Sequence, residues 1–277
     1  MKITLHLGAH RTGSTMVERA VSRTVQAAPE CGVEIWAPRK FRDIKGFNTA
    51  PVLFDEHGAP HGPDEREIME MVQGVLEHDL NQSHKNGVQH LILQEENILG
   101  SMRSNLHAGR FYPLSAQRLA GFAKLLPMQP DTIALAVREY GAVWNSAFGY
   151  LRGQGKDIPP PQQAVGEICD RARGWVDLVR EIRRVWPKSD VLMWQQEHLR
   201  YQGARICGVL TGLPAEAIQL PPRKVNTTAS KGDEVELFTQ RQRVILRNRY
   251  RRNIARLHTE EFAPTVRWAF SKQAAAS

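Results

Sequence analysis

Residues 5–15 read LHLGAHRTGST, an apolar run that breaks into glycine, histidine, arginine and three hydroxyl side chains. These residue types can hold an anion. Gly8 and Gly13 let backbone N–H groups converge on oxygens, and a helix starting just behind them adds positive potential. Set over the nucleoside-triphosphatase pattern GxxxxGK followed by Ser or Thr, GAHRTGST puts Ser14 where the lysine belongs and Thr15 on the terminal hydroxyl position. The cation is Arg11, inside the loop, where it faces a terminal phosphate oxygen or a group attached to it. A plain turn with a helix cap from Thr12 or Ser14 uses the same residues without a ligand.

RTGST, Arg11 to Thr15, resembles the first motif of the sulfotransferases that use 3'-phosphoadenosine 5'-phosphosulfate (PAPS), some of them bacterial. That motif follows a strand and runs Lys or Arg, Ser or Thr, Gly, then two further Ser or Thr. The resemblance implies that Gly8, Arg11, Thr12, Gly13, Ser14 and Thr15 bind the phosphosulfate. It gives Arg11 and Ser14 the task of stabilising the leaving phosphate, and a preplaced cation suits charge that develops there.

The family also places an Arg after a core strand and a Ser eight residues on, both on the cofactor's 3'-phosphate. VREYGAVWNS has Arg138 and Ser146 at that spacing. An arginine at a strand's end and a hydroxyl two helical turns later can converge on one phosphate. Without the resemblance, Arg138 reads as an ion-pair residue, for example with Glu139, and Ser146 as an incidental helix hydroxyl. The family's basic loop over the 3'-phosphate and adenine corresponds to PPRKVNTTASKG, with Arg223, Lys224 and Asn226, although the second glycine of its KGxxG pattern is absent.

A hydroxyl acceptor attacks sulfur only if something takes its proton, and LILQEENILG offers Glu95 and Glu96 at a strand's end. Strand alternation aims at most one of them into the cleft. A Ser-x-Glu-Asn stretch in bacterial members selects Glu96, with Glu95 and His10 in reserve. The implied activity is direct in-line sulfuryl transfer from PAPS, leaving PAP, to a hydroxyl or amine of a small molecule or glycan. Two alternatives stay open: a P-loop kinase or NTPase, and a non-catalytic nucleotide-binding module.

The elements that must position these residues follow from periodicity. Strands are expected at residues 2–7, 32–38, 88–94, 131–140 and 189–199, and helices at 11–26, 65–85, 115–126, 141–153, 163–185 and 202–212. Gly, Pro, Asp and His make 40–65 an irregular excursion, and the loops 41–66 and 153–162 are expected to shape the acceptor site. Alternating strands and helices predict a three-layer α/β fold of P-loop type around a mainly parallel sheet, with ligands at the carboxyl ends of the strands. One domain is expected over 1–277, with a C-terminal helix at about 233–258 packed on it.

The chain has 37 basic and 29 acidic residues, a net charge of +8, and no apolar run of membrane-spanning length. That excess suits an anionic ligand. The arginine-rich stretch 241–256 is read as a solvated helix face, not a nucleic-acid contact. The first strand begins at once, so no signal peptide is expected and a cytoplasmic location is. Cys31, Cys169 and Cys207 match no metal spacing and read as free thiols. Nothing in the sequence specifies the oligomeric state.

Overall fold

The computed structural model describes residues 1–47, 62–170, 173–222, 236–259 and 261–269. Its strands are β1 (Lys2–His6), β2 (Val33–Trp36), β3 (His90–Gln94), β4 (Thr132–Val137), β5 (Asp190–Gln195) and β6 (Val266–Trp268). Its helices are α1 (Ser14–Ala27), α2 (Pro38–Asp43), α3 (Pro63–Lys85), α4 (Met102–Ala108), α5 (Ser115–Leu125), α6 (Tyr140–Gly153), α7 (Pro161–Asp170), α8 (Trp175–Val185), α9 (Leu199–Thr211) and α10 (Gln240–Leu257).

The strands form one parallel sheet in the order β2-β3-β1-β4-β5-β6. Every residue of β3 and β4 is buried, as their continuous apolar runs require when helices cover both faces. Leu5, Leu93, Ile133 and Leu135 pack among side chains of α3, α5, α6 and α8. Their alternates Ile92, Ala134, Ala136, Leu192 and Trp194 pack on α1 and α9. The result is the expected three-layer α/β fold. Because β3 and β4 flank β1 on opposite sides, the chain reverses its direction of travel at β1. A crevice opens at such a switch point, and ligands bind there in open α/β sheets.

The expected helix over 163–185 is two helices, α7 and α8. The break has a cause at Gly174, where a Cβ would come within 2.0 Å of the Tyr140 hydroxyl. That hydroxyl accepts the Trp175 N–H at 2.7 Å, and the Asp177 carboxylate accepts the Gly174 N–H at 2.8 Å, so a new helix starts there. The C-terminal helix starts at Gln240 rather than near 233. Thr239 and Gln242 exchange bonds at its N-terminus, the Gln242 side chain accepting the Thr239 N–H at 2.8 Å. It packs on α6 and α8, where the Tyr140 hydroxyl donates to Asn253 Oδ1 at 2.9 Å. The irregular excursion overlaps the end of α2 and the start of α3, and 48–61 of it lie outside the described residues. Helix α4 and strand β6, each too short for a periodic signal, were not expected. Among the described residues no helix is long and apolar enough to cross a membrane.

Candidate functional site

The three central strands deliver their carboxyl ends to one place: β1 runs into residues 7–13, β3 into Glu95 and Glu96, and β4 into Arg138. Helix α1 opens on Gly13, which adopts φ 88 and whose added Cβ would stand 2.4 Å from Leu199 Cδ1. Only glycine meets both conditions. Neither Thr12 nor Ser14 caps the helix, contrary to the plain-turn reading. The Thr12 hydroxyl turns back to the Ala9 carbonyl at 2.5 Å, and no side chain caps α1. In the first turn of α1 the Met16 N–H bonds the Gly13 carbonyl at 3.0 Å, whereas among the described residues those of Ser14 and Thr15 meet no acceptor and can face an anion.

The loop is tied from below and from the side. Buried His6 meets Gln94 Oε1 through Nδ1 at 2.9 Å, and Gln94 Nε2 donates to the Ser14 carbonyl at 3.2 Å. Burial pulls the His6 pKa from 6.5 down to about 4, so its ring is neutral. On the other side the His10 N–H donates to the Tyr112 hydroxyl at 2.7 Å. Burial, with Arg11 and Arg42 nearby, lowers the His10 pKa to about 4 as well.

Arg11 sits in a left-handed conformation, φ 62. Its Nε donates to Ser146 Oγ at 2.8 Å, and its guanidinium lies 5.0 Å from the Tyr150 ring centroid. Arg138 Nη1 donates to the Arg11 carbonyl at 2.8 Å, while Trp175 Nε1 donates to the Arg138 carbonyl at 2.9 Å. The structure thus brings Arg11, Arg138 and Ser146 into one bonded cluster. Both guanidiniums are half-buried, and neither forms an ion pair with a carboxylate among the described residues. Burial lowers both pKa values; nearby Tyr150 and Glu96 oppose it at Arg11, and Glu197 does so at Arg138.

Strand β3 ends at Gln94, and the turn that follows it sets the two carboxylates in different surroundings. Glu95 is wholly buried and its Oε1 accepts the Asn97 N–H at 2.8 Å, starting the short helical turn 96–99. The Glu96 side chain keeps 33% of its surface and stands beside the loop, since a Cβ on Gly8 would lie 3.4 Å from the Glu96 Cβ. Arg42 bridges them, 3.8 Å from Glu95 and 3.5 Å from Glu96. Burial raises the Glu96 pKa, with Arg42 and then Arg11 pulling it back. Arg118 holds the turn from behind through the Asn97 carbonyl at 2.7 Å and that of Ile98 at 3.0 Å.

Arg223, Lys224 and Asn226 lie outside the described residues. Arg42, Tyr112 and Tyr150 join the site without having been expected. No spacing rule marks them; each arrives from a separate element, and Tyr112 adopts a positive φ that a tyrosine does not announce. Among the described residues no cluster of side chains could hold a metal ion.

No family model matches the chain, and no curated protein matches it. Among solved structures, the crystal structure of a sulfotransferase from Alicyclobacillus acidocaldarius is similar to this chain at 15% identity, over 93% of this chain and 94% of that one, with a TM-score of 0.48.

Proposed function

We propose that this protein is a PAPS-dependent sulfotransferase that moves a sulfuryl group to a hydroxyl or amine of a small-molecule or glycan acceptor. The observation that carries it is the junction of Arg11, Arg138 and Ser146 at the carboxyl ends of the central strands, with Glu96 across from them. Two half-buried guanidiniums without carboxylate partners are costly unless an anion completes them. The donor fits that requirement, since it carries one anionic group at the 5' position and another at the 3' position.

Gly8, Gly13, Ser14 and Thr15, with the open N–H groups at the start of α1, hold the 5'-phosphosulfate, and Thr12, buried and bonded to the Ala9 carbonyl, braces the loop from within. Arg138 and Ser146 hold the 3'-phosphate, and Arg223 and Lys224, outside the described residues, are further candidates to bind it. Glu96 takes the proton from the acceptor as its oxygen or nitrogen bonds to sulfur. The bond from sulfur to the 5'-phosphate oxygen breaks in line, and Arg11, with Ser14, stabilises the negative charge that oxygen gains. Arg42, 3.5 Å from Glu96, favours its ionised form against the effect of burial. The chemistry needs no metal, because the guanidiniums and the helix end offset the charge.

A labelled sulfate-donor assay over an acceptor panel, with Arg11→Ala as control, tests this. Label appears in an acceptor with the native chain and is lost with the variant. Label transfer that survives Arg11→Ala, or phosphate transfer from ATP in its place, contradicts it.

A further inference from the structure

Arg11 shares its unusual backbone with one other non-glycine residue among the described ones, Tyr112 at φ 43. The two are joined through His10, the residue before Arg11. The His10 N–H donates to the Tyr112 hydroxyl at 2.7 Å, and His10 Nδ1 lies 3.3 Å from the same oxygen. Positive φ in a bulky residue is strained and persists only where surrounding contacts over-determine it. They do so at Tyr112. Its N–H donates to Asn105 Oδ1 at 3.0 Å, and its carbonyl accepts from Ser115 at 2.9 Å and Arg173 at 3.3 Å. Arg173 is itself anchored by an ion pair with Glu181 at 2.7 Å. The Tyr112 ring is 1% exposed and packs edge-on to Phe111.

A buried phenol that accepts a backbone N–H still has one hydrogen to place. His10 Nδ1 is the acceptor at hand, and a neutral imidazole accepting at Nδ1 carries its own hydrogen on Nε2. We propose that Tyr112 is the positioning residue of the anion loop: its hydroxyl pins the chain ahead of left-handed Arg11 and locks His10 as the Nε2–H tautomer. The proposal rests on the reading of this loop as the phosphosulfate site and sharpens it. An imidazole so locked donates a hydrogen bond and does not take a proton through Nε2, which leaves that task to Glu96.

Nitrogen-15 NMR of the native protein reads the tautomer, with His10→Gln assigning the resonance among the ten histidines. The expected spectrum has Nε2 protonated and Nδ1 bare; an Nδ1–H form overturns the proposal without any variant. Tyr112→Phe keeps the ring and removes the hydroxyl. It is expected to give a tautomer mixture and to weaken PAP binding by about tenfold, the value of one hydrogen bond. Unchanged tautomer and PAP affinity beside a lowered melting temperature would make Tyr112 a packing residue only. If the native chain binds no PAP, the phosphosulfate reading fails, while the tautomer and its dependence on Tyr112 still decide this proposal.

Discussion

Arg11 Nε donates to Ser146 Oγ at 2.8 Å, joining the loop after β1 to the second turn of α6 across 135 positions of sequence. A hydrogen bond to a charged group contributes about 1.5–3 kcal/mol. Ser146→Ala removes this bond and, with Ser146 on the 3'-phosphate, weakens PAP binding roughly ten- to hundredfold by calorimetry. Equal affinity in the variant would separate Ser146 from the ligand.

Glu96 has the stronger pH signature. Burial raises its pKa while Arg42 and Arg11 oppose the rise, and only the ionised form accepts a proton. Turnover therefore falls as pH drops through a pKa above the ordinary carboxylate value. Arg42→Ala moves that acid limb to higher pH, and Glu96→Gln lowers kcat by about 10²–10⁴. An acid limb that stays in place in Arg42→Ala would remove Arg42 from this role.

The sheet and the loop were the legible parts. Continuous apolar runs mark β3 and β4 as strands covered on both faces, and RTGST marks the turn into α1. That at most one of Glu95 and Glu96 faces the cleft was legible from their adjacency, while the choice of Glu96 came from the resemblance to the bacterial Ser-x-Glu-Asn stretch. What stayed hidden depends on distant partners: Gly174 breaks the expected 163–185 helix because Tyr140 stands against it, and Tyr112 reaches His10 over 102 positions. Local periodicity carries no information about either contact.

Gly13 is constrained by space as well as by φ. Gly13→Ala drives a methyl into Leu199 and forces a left-handed alanine, so unfolding free energy falls by about 2–4 kcal/mol. Leu199→Ala removes the clash but not the backbone penalty. The double variant should therefore recover part of the loss beyond additivity in denaturant melts. Strict additivity would mean that the two side chains do not meet.

His6 and His10 also set the acid stability. Both have pKa values near 4 in the folded chain against an ordinary 6.5, so the unfolded chain binds more protons between those values. Their contribution is fully present above pH 6.5 and is lost as pH falls toward 4, by roughly 3 kcal/mol per histidine. His6→Asn should flatten the dependence of the urea midpoint on pH across that window. A slope identical to the native one would exclude His6 as a source.

The central claim is that Arg11, Arg138 and Ser146 form a site for a nucleotide carrying both 5' and 3' anionic groups. Calorimetric titration of the native chain with PAP and with ATP tests it most directly. The predicted result is tighter binding of PAP, weakened by Arg138→Ala more than ATP binding is. Tighter binding of ATP, or equal loss of both in Arg138→Ala, would contradict it.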